Sequence, residues 1–314
     1  MPELPDVELY VHALRSRLAG RTLTRVRLRS PFVLRTFTPS LDEAHGRRIL
    51  GVTRLGKRIV WQLEGDWFLV FHLMIAGRFR WRAEGARVPG RLGIAAFDVE
   101  GGTVLLTEAG TSRQASLHVV VGREALAALD RGGLEVLDAT AREFAQALRR
   151  ERHTLKRALT DPRILSGIGN AYSDEILHAA RLSPTTLTTS LTDADLARLH
   201  AATRDTLITW RDRLIAEAGD AFPEKVTAFR PGMAVHGRYG QPCPVCGTTV
   251  QRIRYASNES NYCPTCQTGG RLLADRSLSR LLRADWPKTA KALEERKGGS
   301  APAPGGGGRK RRSP

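Results

Sequence analysis

Apolar residues recur at three- and four-residue steps from Val7 through Tyr10, Val11 and Leu14 to Leu18. That spacing gathers them on one face and predicts an amphipathic helix over residues 4–19. Gly20 stands where a helix C-cap falls. From residue 21 to about 122 the period changes to that of strands. TLTRVRLRS, ILGVTRLG, KRIVWQLE, WFLVFHLM, RFRWR, LGIAAFDV, TVLLTE and SLHVVV are short segments with turn residues between them. Some alternate apolar with polar residues and others are continuously apolar, a pattern that predicts a two-layer β-sandwich or barrel. EGARVPG and VEGG read as hairpin connections.

Beyond Gly122 the spacing turns helical in EALAALD, TAREFAQALRRE, TLKRALT, NAYSDEILHAARL and DADLARLHAATRDTLITWRDRL. Asp193 is read as the N-cap of the last of these. RSLSRLLRADWP predicts a short helix ending before Pro287. The organisation expected is a helix plus β-domain over 1–122, a helical domain over 123–235, a finger over 236–270 and an extension over 271–296. The low-complexity stretch 297–314 is expected to be a disordered basic tail. The fold class is α+β and multidomain.

Composition narrows the function classes. The 314 residues carry 49 Lys plus Arg against 32 Asp plus Glu, a formal net charge of +17. Only seven of the cations are lysines, so the charge is mostly arginine, whose planar fork suits phosphates and base edges. With 41% hydrophobic and 26% charged residues the chain reads as folded and globular. It contains no run of about 18 apolar residues, so a helical membrane span is not expected. MPELPDVELY lacks the basic and apolar regions of a signal peptide, which points to the cytoplasm. Charge by itself leaves nucleic acid, an anionic membrane surface or an acidic protein as partners, with nucleic acid favoured.

The cysteines add a site. Cys243 and Cys246, then Cys263 and Cys266 after sixteen residues, form two C-x-x-C knuckles. Four thiolates so spaced suit one tetrahedral Zn²⁺ in a structural role. Two disulfides or two redox dithiols are the alternatives. A cytosolic setting disfavours the first, and the lack of a thioredoxin-like βαβ pattern disfavours the second. TTVQRIRY is read as a strand of the finger and SNESNY as its turn, with Arg252 and Arg254 on one strand face.

The N-terminus offers chemistry. Pro2 follows Met1, and loss of Met1 would leave a secondary amine. Such an amine attacks a sugar aldehyde and forms an iminium, which serves as an electron sink for elimination. Glu3 beside it is placed for general acid work.

Taken in order, MPELPDVE, LGKRIV at 55–60, HLMIAGRFRW at 72–81, SGIGNAYSDEILHAARLSP at 166–184 and the four-cysteine finger resemble the formamidopyrimidine-DNA glycosylase/endonuclease VIII (Fpg/Nei) family of base-excision repair enzymes. The resemblance spans roughly residues 1–270. It implies a β-sandwich N-domain, a helix-two-turns-helix domain and a zinc finger. It also implies a monomer that removes oxidised bases from double-stranded DNA and nicks the strand by β,δ-elimination through a proline Schiff base. By position, Pro2 is the implied nucleophile, Glu3 assists base release, and Lys57 holds a phosphate beside the lesion. Glu8 falls at a further acidic position, Gly169 and Asn170 in the turn that grips DNA, and the four cysteines at the zinc ligands.

The sequence departs from the family at several points. PDVE replaces the usual PEVE, which is read as a conservative change at Asp6. The void-filling wedge falls at Met74 or Ile75. Arg113 matches an arginine facing the orphaned base, but its loop lacks the accompanying phenylalanine. The finger's phosphate-clamping arginine falls at Asn258, leaving Arg252 or Arg254 as substitutes. EAGDAFPEKVTAFRPGMAVHGR does not read as a lesion-capping loop, so lesion preference stays open. The rival readings are a non-catalytic protein that binds damaged or abasic DNA on the same scaffold, and a zinc-ribbon interaction module.

Overall fold

A computed structural model describes residues 1–110, 112–255, 258–273 and 287–298. The first helix, α1 (Leu4–Leu18), buries Val7, Tyr10, Val11, Leu14 and Leu18, the five residues whose spacing predicts it. Gly20 sits just past its end at φ +82°, a conformation that suits glycine.

All eight expected strands form: β1 (Leu23–Leu28), β2 (Ile49–Leu55), β3 (Arg58–Leu63), β4 (Trp67–His72), β5 (Gly77–Arg82), β6 (Gly93–Val99), β7 (Gly102–Glu108) and β8 (Ser116–Val121). They make two four-stranded sheets, β1-β6-β7-β5 and β2-β3-β4-β8, with neighbouring strands antiparallel throughout. Trp61, Phe71, Phe79 and Phe97 interlock between the sheets. The continuously apolar β4 has a physical reason. Trp67, Leu69 and Phe71 face this core. Phe68 and Val70 face outward under Leu126 and Leu129, in and after α2 (Arg123–Ala127). VEGG makes the expected β6–β7 hairpin, whereas EGARVPG does not make one. β5 and β6 lie on opposite sides of β7, so that loop crosses over a strand.

The helical part comprises α3 (Ala141–Arg149), α4 (Leu155–Thr160), α5 (Asn170–Ala179) and α6 (Asp193–Ala218). Thr192, not Asp193, caps α6: its side chain accepts the Asp195 N–H, and Asp193 is the first helical residue. Both residue types cap helices well, so pattern alone misplaces the boundary by one. Two cores meet at α1. Leu4 packs in the helical core, and the apolar residues from Val7 onward pack in the sandwich core. Leu214 of α6 and Val226 beyond it also join the sandwich core.

The finger is a hairpin of β9 (Gln251–Arg254) and β10 (Glu259–Tyr262), followed by α7 (Pro264–Thr268). ESNY, read as turn, is therefore the second strand. Its polar side chains are accommodated because they bond to a buried carboxylate of α5, described below. A last helix, α8, spans Ala290–Gly298 and includes two residues assigned to the tail. The expected helix over most of RSLSRLLRADWP and the tail from 299 onward lie outside the described residues.

Candidate active site and DNA-facing surface

Antiparallel register sends the β2–β3 turn, the β4–β5 loop and the β7–β8 loop to one end of the sandwich. These carry Lys57, Met74 with Ile75, and Arg113. Lys57 is half-buried beside a cavity of about 210 Å³, also lined by Met1, His72, Arg131, Ser166 and Gly167. Burial lowers the Lys57 pKa, opposed by the charge of Glu3. Burial, with Arg58 and Lys57 nearby, brings His72 down to about 4. The cavity wall is thus cationic, with a neutral imidazole in it, and suits an anionic ligand. Met74 adopts φ +50°, uncommon for a side-chain-bearing residue, and donates its N–H to His72 Nδ1 at 3.1 Å. The turn presents Ile75, which is 66% exposed, outward. Arg113 is exposed and donates to the Arg91 carbonyl at 2.8 Å.

Pro2 is buried, and Met1 at the cavity edge precedes it. The chain end is held from the far side of the sequence. Leu4 donates its N–H to Gly167 O at 2.9 Å. The Glu3 carboxylate accepts N–H bonds from Gly169 (2.8 Å), Ala171 (2.8 Å) and Tyr172 (3.1 Å). It therefore satisfies the otherwise orphaned donors at the N-terminus of α5 and meets the positive end of the helix dipole. The turn expected to grip DNA thus spends three of its amides on Glu3. Both glycines are required. A Cβ on Gly169 would lie 2.4 Å from Glu3 Cδ, and one on Gly167, at φ +84°, would lie 2.9 Å from Leu4. Asn170, first in α5, is half-buried. It lines a groove of about 770 Å³ with Arg152, Arg157, Arg254 and Asn258. Arg252 faces elsewhere, pairing with Glu259 at 3.3 Å and lying 4.2 Å from the Tyr239 ring centroid. Of the two substitutes for the finger clamp, Arg254 is the one in the groove with Asn170.

Glu8 is not a cavity residue. It pairs with Arg54 at 2.9 Å, and Arg54 in turn pairs with Glu135.

The sequence motifs do not single out Asp174 and its partners. Asp174 is wholly buried and gathers Lys156 (2.6 Å), His236 (2.8 Å), Ser260 (3.0 Å) and Asn261 (3.3 Å). Burial alone would raise its pKa, but Lys156 and His236 hold it below the ordinary value. Glu175 accepts N–H bonds from Ala234, Val235 and His236 at 2.6–2.9 Å. Its pKa is raised because burial outweighs those donors. One signal was available. Residues 171–178 offer α5 no clean polar face, and all eight are buried. Acidic residues in such a helix must find partners.

The four cysteines converge, with sulfurs all within 4.8 Å of one another. The Cys246–Cys263, Cys246–Cys266 and Cys243–Cys266 separations are 3.4, 3.5 and 4.0 Å. Thiolates about 2.3 Å from a tetrahedral zinc lie about 3.8 Å apart, so the set fits a zinc ion. His178 Nε2 of α5 lies 3.3 Å from Cys243 Sγ.

Family comparison agrees with this geometry. Residues 1–114 match the formamidopyrimidine-DNA glycosylase N-terminal domain, 133–209 its H2TH domain, and 240–269 the zinc finger found in FPG and IleRS. The chain is 35% identical over 278 residues to the formamidopyrimidine-DNA glycosylase of Chloroflexus aurantiacus, covering 85% of this chain and 98% of that one. It is 34% identical to that of Thermus thermophilus, covering 86% and 100%. A formamidopyrimidine-DNA glycosylase-like protein of Mycobacterium tuberculosis is 42% identical over 151 residues, 48% of this chain and 94% of that one. Lactococcus lactis Fpg, solved with DNA containing an abasic site, superposes with a TM-score of 0.75 at 23% identity, over 85% of this chain and 99% of that one. At that identity the likeness concerns the fold. Among the described residues no helix is long and apolar enough to cross a membrane.

Proposed function

This chain belongs to the formamidopyrimidine-DNA glycosylase (Fpg/Nei) family, and from that premise we propose that it is a bifunctional DNA glycosylase and abasic-site lyase. It acts as a monomer on damaged double-stranded DNA. The observation that carries this reading is the buried Pro2–Glu3 end, held by α5 amides beside a cationic cavity.

Phosphate contacts by Lys57, Asn170 and Arg254 set the register on DNA. Ile75, on its turn with Met74, enters the stack where the damaged nucleotide leaves, and Arg113 faces the orphaned base. With Met1 removed, the Pro2 nitrogen attacks C1′ of the sugar while the C1′–base bond breaks; the base takes a proton from solvent, and the proton of the new ammonium passes to the Glu3 carboxylate. Glu3 protonates the ring oxygen, the sugar opens, and the nitrogen lone pair makes an iminium. Loss of a C2′ proton expels the 3′ phosphate, and a second elimination expels the 5′ phosphate. Water then hydrolyses the remaining imine and restores the amine. Cys243, Cys246, Cys263 and Cys266 hold one zinc, whose role is to fold the finger.

Borohydride reduction during reaction with an abasic-site duplex tests this. Wild type is expected to give a covalent protein–DNA adduct and strand cleavage. Pro2→Gly should lose most of both while still binding. A correctly processed wild type that binds this DNA with neither adduct nor cleavage sinks the lyase reading and favours a non-catalytic binder. A panel of duplexes carrying oxidised purines, oxidised pyrimidines or uracil then sets lesion preference.

A further inference from the structure

Asp6 is where the N-terminal motif departs from the family pattern, and the structure gives it two tasks. It is fully buried. Its Oδ2 accepts the Glu3 N–H at 3.0 Å, and its Oδ1 accepts Arg230 Nη2 at 2.6 Å. Arg230 is 224 positions away in sequence, on the segment that follows α6.

That segment is fastened along its length. Glu224 pairs with Arg80 at 3.0 Å and also with Arg82, both on β5. Val226 is buried in the sandwich core. Arg230 reaches Asp6, and Ala234 to His236 give their N–H groups to Glu175. The segment is therefore a strap from the sandwich to α5. Midway it touches the turn that bears Pro2 and Glu3. A buried carboxylate that holds the Glu3 peptide with one oxygen and a guanidinium with the other transmits the position of the guanidinium to that peptide.

We propose that Arg230 is a positioning residue for the Pro2–Glu3 pair, acting through Asp6. This rests on the lyase reading above.

The test compares single-turnover cleavage of an abasic-site duplex with its binding affinity. Arg230→Met and Asp6→Asn are each expected to slow cleavage by about 10–100-fold, because a misplacement of about 1 Å costs that order of rate. Affinity should change by less than about 3-fold, since neither residue meets a phosphate. Arg230→Lys should restore part of the rate. Glu224→Gln loosens the strap away from Asp6 and should leave the rate within about 2-fold, as expected for an uncoupled site. Hydrogen exchange at the amides of Glu3, Leu4, Asp6 and Val7 should accelerate in Arg230→Met and not in Glu224→Gln. Arg230→Met cleaving at the wild-type rate, or Glu224→Gln slowing cleavage equally, overturns the proposal. If wild type itself cleaves nothing, the lyase reading fails separately. Unchanged exchange at these amides in Arg230→Met then overturns the positioning claim by itself.

Discussion

Helix α5 is gripped at two junctions, and they are built in opposite senses. At its N-terminus the helix supplies backbone donors and the carboxylate comes from outside, from Glu3. Along its flank the helix supplies the carboxylates, Asp174 and Glu175, and the donors come from outside. The first junction borders an open cavity and holds the end of the chain that carries Pro2. The second is sealed and ties the helical domain to the finger. One helix thus holds the Pro2–Glu3 chain end at its N-terminus and the clamp on its side. Damage to the flank should cost stability, and damage to the N-terminus should cost rate.

Removing the metal makes the harshest comparison. Chelation or Cys246→Ser should cost the finger about 10 kcal/mol or more of folding free energy. Limited proteolysis should then cut within residues 240–269 while the sandwich stays intact. A zinc-free finger as resistant as the holo form would show that the metal does not fold the finger.

Asp174→Ala strands the Lys156 ammonium, of which 10% of the side chain is exposed, without its anion. Breaking a buried pair in this way costs about 3–5 kcal/mol. The melting temperature should fall by roughly 10 °C. Acid should reproduce part of that loss. The folded-state pKa of Asp174 is lowered, so its contribution is present above the ordinary aspartate value and fades as pH falls through the depressed one. An unchanged melting temperature would show that the flank is not a clamp.

Gly169→Ala attacks the other junction, placing a methyl carbon 2.4 Å from the Glu3 carboxyl carbon. Single-turnover cleavage should drop by about 100-fold. Metal analysis should find the zinc retained. Normal cleavage would mean that Glu3 does not need these amides.

The gentlest probe is pH. Burial lowers the pKa of the chain-terminal amine, with the charge of Glu3 opposing it. Pro2 is itself buried, so desolvation should act in the same direction on its amine once Met1 is gone. The neutral amine attacks, so cleavage should rise with pH and reach half its maximum below about 8, the ordinary value for such a group. A midpoint at or above 8 in a pH–rate profile would contradict this.

The sequence made some of this legible because the signals are local. Cys243 to Cys266 declare a metal site by spacing alone, and β2 to β4 declare strands by their apolar residues. Pro2 and Glu3 stand out by position, and their chemistry is legible before any fold is known. Asp174 was not legible, because whether a carboxylate is solvated or buried depends on His236 and Ser260, 62 and 86 residues away. Asp6 looked interchangeable with glutamate until Arg230 appeared opposite it. The EGARVPG loop failed for a related reason: turn residues say where a strand ends, not which neighbour it joins.

The grip on Glu3 also orders events on the ribosome. Residue 3 is made first, yet its holders at 169–172 and the Arg230 behind Asp6 are among the later residues made. At about 5–20 residues per second, that gap lasts on the order of ten to forty seconds. The nascent N-terminus is therefore made well before the residues that hold it. On the proposed mechanism, a translation product that stops short of Arg230 would carry the nucleophile without the frame that aims it.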